Sequence, residues 1–144
     1  MKIENKRAFF DYEILERLEA GINLYGAEVK AIRLGHADLS GSFVKIIGSE
    51  VYLVNAKIFP YKYATPEGYD QKRTRKLLFH KREIIALKSK SEGSNLALVP
   101  LSMYIKKGFI KVEVGLGKGK KEYDKRAKIK KRDIERSVEQ ELQN

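Results

Sequence analysis

No cysteine occurs among the 144 residues, so neither a disulfide nor a thiolate metal site can be built. Histidine is nearly absent as well. His36 and His80 are the only two, they lie far apart, and no HExxH or other His-rich ligand set exists. Ser40 and Ser42 stand in no nucleophile-elbow context. The run "GLGKGKK" (115–121) matches neither GxGxxG nor GxxxxGK[ST]. Glu16, Glu19 and Glu28 read as isolated, solvated acids. These absences point away from catalysis, and neither an enzyme nor a cofactor is expected. Long apolar runs are missing too. None approaches the ~20 residues that span a bilayer, and "MKIENKRAFF" has no apolar core or cleavage site of a secretory signal. The expectation is a cytoplasmic protein with no membrane association.

Acidic residues are scarce in one half only. Residues 1–70 carry nine Lys/Arg against ten Asp/Glu, whereas residues 71–144 carry 21 against nine, so the net charge of +11 sits in the second half. A one-sided basic field favours a polyanion, nucleic acid before an anionic membrane.

What is present first is β-rich sequence. "FFDYEILERLEAGINLY" (9–25) places Tyr12, Ile14, Leu18 and Ala20 on one strand face, with Glu16 breaking the alternation. Helical spacing fits about as well, but Gly21 and "INLY" favour strands. "GAEVKAIRLG" (26–35) reads as a short helix between glycines. "SFVKIIGSEVYLVNAKIF" (42–59) is a hairpin turning at Gly48-Ser49. Residues 60–75, with two prolines, form a long surface loop of a length that often carries function. "KLLFH" (76–80) is a strand and "KREIIALKSKSEGS" (81–94) a helix. Residues 96–116 are two strands turning at Lys106-Lys107-Gly108. So many antiparallel strands must close or stack to hide their edges. The predicted fold is mainly β: a small closed OB-type antiparallel barrel of about six strands over residues 1–117, with two or three short helices. Another small barrel or a sandwich remains open on the pattern alone. Phe43, Tyr52, Phe79 and Phe109 are the expected core aromatics.

Two basic segments carry the binding chemistry. "QKRTRKLLFHKR" (71–82) has six cations and no acid. Arg73 and Arg75 share one side of an extended chain, and both could fork onto phosphate oxygens. His80, with Tyr63 or Tyr69, could stack on unpaired bases, although a strand-end histidine paired with backbone fits His80 equally well. The second segment is the tail, residues 118–144. Lys118, Lys120, Lys121, Lys125, Arg126, Lys128, Lys130, Lys131 and Arg132 make up nine of fifteen positions. Beyond them Ile134, Val138 and Leu142 form one narrow helical stripe. A lone helix with so little apolar surface is marginal. The tail is expected to be disordered or partly helical when free and to order on a polyanionic partner. Docking on the barrel through the stripe is the other possibility.

Five ordered blocks, "NKRAFFDY" (5–12), "LEAGINLYGAEVKAIRLGHADLS" (18–40), "EVYLVNAKIFPY" (50–61), "RTRKLLFHKREI" (73–84) and "KGKKEYDKRAKIKKRD" (118–133), make the chain resemble the SsrA-binding proteins. These are the small protein B family, partners of transfer-messenger RNA in trans-translation. The resemblance spans nearly the whole chain, and "KGKKxxDKR" is its sharpest element. It implies an OB-type barrel that does no chemistry and binds the tRNA-like domain of transfer-messenger RNA. With elongation factor Tu, such a protein brings the charged RNA to stalled ribosomes. Its tail probes the decoding centre and the empty mRNA channel of the small subunit, and the protein is expected to be a monomer. By position, Asn5, Glu19, Leu78, His80 and Lys111 match the RNA-binding face, with Arg73, Arg75 and Lys76 beside them. Asp124, Lys125 and Arg126 match the tail's DKR element, and Tyr123 adjoins it. Three departures stand out. Tyr123 replaces a histidine found in some members, Phe9 stands where an arginine is common, and Gly117 replaces an alanine and would loosen the barrel–tail joint.

The resemblance and the charge pattern together give an RNA-binding adaptor for ribosome rescue. A structural ribosomal protein or a general RNA-binding OB-type protein has the same basic tail and barrel, and only binding behaviour separates them.

Overall fold

Three eleven-residue strands dominate the chain: Tyr12–Ile22 (β2), Leu96–Lys106 (β8) and Phe109–Gly119 (β9). In the computed structural model described here, which covers residues 1–143 without the side chains of residues 121–129, β9 lies between β2 and β8, antiparallel to both along most of its length. The hairpin of Phe43–Ile47 (β4) and Glu50–Val54 (β5) is joined to β2 through Arg75–Leu78 (β7). A bridge between Val44 and Leu98 brings β4 back to β8. The ring β8-β4-β5-β7-β2-β9 is therefore closed, and it has six strands, as expected. Closure removes the unpaired edges that so many strands would otherwise expose. Lys2–Glu4 (β1) pairs with β8 opposite residues 102–104, and Ala37–Asp38 (β3) with Lys57–Ile58 (β6) forms a small side sheet. The β8–β9 hairpin turns through Lys107 and Gly108, with φ of 51° and 80°. This primed turn matches the twist of the strands.

Helices pack against the barrel's core. Gly26–Arg33 (α2) buries Ala31 and Ile32, and Lys81–Ser91 (α3) buries Leu87. The sequence pattern did not show Lys6–Asp11 (α1), which takes the start of the segment read as strand. Asn5 is its N-cap: the side-chain oxygen accepts the Ala8 N–H at 3.3 Å. The amide nitrogen donates to the Pro100 carbonyl at 2.8 Å.

The supposed single face of β2 is in fact two. The register with β9 shifts between Ile14 and Glu16, leaving Leu15 as an extra residue. Such a bulge flips the alternation. Leu18 and Ala20 face the main core, whereas Tyr12 and Ile14 join Ala8, Val99 and Leu101 in a second cluster under α1. Glu16 broke the pattern because it sits just past this bulge. Gly117 pairs with Ile14 there, and a Cβ on it would lie 3.0 Å from Tyr12 Cβ and 3.2 Å from Ile14 Cδ1. It is a tightly covered strand residue, so the loosened joint expected at Gly117 is not there. The aromatic expectations also divide. Phe43 is buried, Tyr52 and Phe79 are half-buried, and Phe109 is exposed at the end of the β8–β9 hairpin.

Where a tail disordered or partly helical was expected, the structure has one helix, Lys121–Gln143 (α4). It is seated on the barrel. Val138 is buried against Phe43 and Val54, with Ile134, Ile47 and Tyr52 around them. Lys131 donates to the Tyr12 hydroxyl at 2.8 Å and lies over the Tyr12 and Phe43 rings, and Lys45 pairs with Glu135 at 3.4 Å. The apolar surface that α4 lacks by itself comes from β4 and β5. No described helix is long and apolar enough to cross a membrane.

Candidate nucleic-acid interface

Strand register fixes which side chains share the outside of the barrel, because directly opposed residues point to the same face. One row crosses five strands: Lys2, Tyr104, Lys111, Gly21 and Leu78. The next row holds Glu4, Ser102, Glu113 and Glu19. Gly21 leaves the middle of the first row bare. A Cβ there would lie 3.4 Å from Leu78 Cβ and Cδ1, so Leu78 leans over the glycine while staying 49% exposed. An exposed leucine on a flat strand surface, flanked by Lys111, offers apolar contact next to a cation.

Glu19 is organised for accepting. The Tyr104 hydroxyl donates to its Oε2, and Lys106 lies 3.3 Å from its Oε1. The tyrosine hydrogen bond holds its carboxyl below the ordinary value, against the opposing effect of burial, with Lys106 and Lys111 adding to the depression. Burial and the same bond push the Tyr104 hydroxyl up. Glu113 is paired with Arg17 at 3.1 Å, and Arg17 also lies over the Phe9 ring at 5.2 Å. His80 is exposed two residues beyond Leu78, at the N-cap of α3, where its backbone N–H donates to Glu83 Oε1 at 2.9 Å. The structure thus brings Glu19, Leu78 and Lys111 onto one face, with His80 two residues beyond its end.

Other expected contacts lie elsewhere. Asn5 is buried, and both ends of its amide are used in capping α1 and tying it to β8. Arg75 corrects the phosphate reading outright, because its side chain is fully buried. Its Nε donates to Glu28 at 2.8 Å, Nη1 to the Ala56 carbonyl at 2.8 Å, and Nη2 to the Gln71 carbonyl and the Tyr69 hydroxyl at 2.9 and 3.0 Å. Four of its five N–H donors are engaged in this way, and burial keeps the whole guanidinium out of a ligand's reach. Arg73 bonds to both oxygens of the same glutamate and remains partly exposed. Lys76 pairs with Glu50 at 3.0 Å on the surface.

Glu28 is what the sequence reading missed. Taken as a solvated acid, it is 1% exposed and accepts from Arg73, Arg75, the Tyr25 N–H at 2.8 Å and the Tyr69 hydroxyl at 2.8 Å. Burial alone would raise its pKa, but these partners overcome it and bring the carboxyl down to about 2. Burial and the bond to Glu28 push Tyr69 up to about 12. The signal was available: a glutamate three residues past a helix N-cap, and two arginines on one side of an extended chain.

In the basic extension, Lys118 and Lys120 are exposed at the end of β9, and Lys120 lies 5.8 Å from the centre of the Phe10 ring. Lys130 and Arg132 are exposed on α4, while Lys131 faces the barrel. The side chains of Lys121, Tyr123, Asp124, Lys125, Arg126 and Lys128 lie outside the described residues. Among the described residues no group of acids and histidines is placed to hold a metal ion.

Comparison with known proteins finds a family, a set of relatives and a solved structure to which the chain is similar. The family described as SmpB protein matches residues 2–144. The SsrA-binding protein of Carboxydothermus hydrogenoformans is 50% identical over 139 residues, covering 96% of this chain and 93% of that protein. That of Chlorobaculum tepidum is 49% identical over 139 residues, covering 96% and 88%. A solved structure of tmRNA-SmpB, described as a journey to the center of the bacterial ribosome, superposes with a TM-score of 0.69 at 48% identity, covering 83% of this chain and 84% of the other.

Proposed function

This chain belongs to the SmpB protein family, and from that premise we propose that it is a transfer-messenger-RNA-binding adaptor of trans-translation. The observation that carries the reading is the row of Lys111, Gly21 and Leu78 beside Glu19, set in a barrel whose relatives are named for binding SsrA. Leu78 supplies an apolar contact for a ribose or base and Lys111 a charge for phosphate. Glu19, kept ionised and oriented by Tyr104, accepts from base amino groups or 2′-hydroxyls. His80 stacks at the end of the row. Asn5 serves the site indirectly, by fixing α1 against β8.

In this reading the barrel takes the tRNA-like domain and the protein acts as a monomer, without chemistry of its own. It works together with elongation factor Tu in the cytoplasm. The basic helix, with Tyr123, Asp124, Lys125 and Arg126 at its start, enters the decoding centre and empty mRNA channel of a stalled ribosome. The match to tmRNA-SmpB supports the RNA and ribosome partners, and the cation density of residues 118–132 supports the tail's role.

The test is binding of the full chain to transfer-messenger RNA and to a size-matched control RNA across a salt series. A marked preference for transfer-messenger RNA that persists as salt rises is expected. Equal binding to both RNAs, lost in parallel with salt, would return a generic basic protein instead.

A further inference from the structure

A second surface lies where α2 meets the loop between β6 and β7, which touch through Glu28 with Tyr69 and Lys30 with Tyr61. Tyr25, at the start of α2, is 53% exposed and carries the Arg73 guanidinium 3.8 Å from its ring centre. Further along the same helix Lys30 lies 5.5 Å from the centre of Tyr61. Tyr61 meets Tyr63 edge-on with centroids 5.6 Å apart. Tyr63 is 76% exposed and has Lys62 at 5.6 Å. Tyr25 with Arg73 thus stands at the start of α2, and Tyr61 and Tyr63, with Lys30 and Lys62, stand about one and a half turns along it.

This surface is built rather than loose. The Ala64 N–H donates to the Tyr61 carbonyl at 3.3 Å, closing a turn that holds up Tyr63. The far end of the loop is clamped where the Tyr69 hydroxyl, Arg73 and Arg75 converge on Glu28. Glu28, buried and fully engaged, adds no exposed negative charge to this surface. Two exposed rings, Tyr25 and Tyr63, with the half-buried Tyr61 seated on the main core against Tyr63, and each ring beside a cation, have the make-up of a stacking platform. Base faces lie on tyrosine and guanidinium planes, and ammonium groups meet the phosphates between them.

We propose that Tyr25, Tyr61 and Tyr63, with Arg73, Lys30 and Lys62, form a second RNA-binding surface that takes a short run of unpaired nucleotides by stacking. It requires no contact through Leu78 or Lys111, so the two faces can hold different RNA segments at once. The unpaired nucleotides come either from a loop of transfer-messenger RNA or from ribosomal RNA.

The experiment uses the full chain, its Tyr63→Ala, Tyr25→Ala and Tyr63→Phe variants, and Leu78→Ala as the sheet-face control. The probe is an unstructured oligouridine RNA of about twelve nucleotides, read by fluorescence anisotropy at several salt concentrations. Each tyrosine-to-alanine change should weaken binding about tenfold. Tyr63→Phe should stay within about twofold of the parent, because stacking needs the ring and not the hydroxyl. The salt slope should not change, since no cation is removed. Parallel arms with the tRNA-like domain and with small ribosomal subunits show which RNA supplies the nucleotides. Unchanged oligouridine binding in both alanine variants would overturn the proposal, as would a loss in Tyr63→Phe equal to that in Tyr63→Ala. A loss of subunit binding without any loss of oligouridine binding would also overturn it, in favour of a protein partner. Leu78→Ala reports on the sheet face alone, so failure of either surface is visible without failure of the other.

Discussion

Replacing Glu28 by glutamine should be the most damaging conservative change in the barrel. The substitution keeps the volume but removes the charge that faces Arg73 and the fully buried Arg75. Breaking one side of a buried pair typically costs about 3–5 kcal/mol, because the remaining charge stays desolvated. The depression of the carboxyl's pKa gives a second figure. The Glu28 carboxyl, about 4.5 when exposed, is held at about 2 in the folded protein. At about 1.4 kcal/mol per pH unit that depression is worth ~3 kcal/mol. The two figures agree, and both are a large share of the ~5–15 kcal/mol that holds a domain together. Since the folded-state pKa is the lower one, this stabilisation is complete above pH 4.5 and fades as pH falls toward 2. Urea unfolding of parent and Glu28→Gln at neutral pH should therefore differ by ~3 kcal/mol, with a melting temperature lower by about 10 °C. Between pH 5 and pH 2 the parent should lose that advantage and the two proteins should converge. A neutral-pH difference below ~1 kcal/mol, or a gap that does not narrow in acid, would refute the reasoning, because the pair would then contribute no more than a surface bridge.

Three further outcomes are expected. Leu78→Ala should leave the urea midpoint nearly unchanged, because the side chain is half-exposed, while weakening transfer-messenger RNA about tenfold by direct titration; equal affinity would remove Leu78 from the interface. Gly115→Ala should cost ~1–3 kcal/mol in urea unfolding, since the added carbon would sit 2.9 Å from Leu101 Cδ1 in a core with no room to yield; a neutral result would show that the second cluster is plastic. Val138→Asp should detach α4, seen as reduced helical circular dichroism and faster amide exchange beyond residue 130 with the barrel's exchange unchanged. If the helix signal persists, the Phe43–Val54 seat is not what orders it.

Particular residues show where local pattern sufficed. The hairpin at Gly48-Ser49, the turn read at Lys106-Lys107-Gly108 and the helices beginning near Gly26 and Lys81 depend on turn chemistry and short-range periodicity, and they lie where the sequence placed them except that Lys106 is the last residue of β8. The short helix after Asn5 did not announce itself, because six residues carry too little periodicity and its cap is anchored by the distant Pro100. Arg75 read as a phosphate ligand because its partners, Glu28 and Ala56, are remote in the chain. On the proposed RNA face, Glu19 and Leu78 fall within the family blocks, whereas Lys111 lies outside them and matches by position alone. That they share a surface with Gly21 bare between them is a matter of strand register, which a single sequence does not display.

The sequence by itself determined the charge asymmetry, the mainly β character, the family and the basic character of the tail, because each depends on composition or on neighbours within a few positions, whereas closure of the ring depends on the distant pairing of Val44 with Leu98. Only the tertiary structure decided which cations face solvent, that a bulge at Leu15 divides β2 between two cores, and that the terminal helix finds its missing apolar surface on β4 and β5. Each of these depends on groups far apart in the chain meeting in space. There the desolvation of a charge or the fit of a side chain is settled by what lies opposite it, not by what lies beside it.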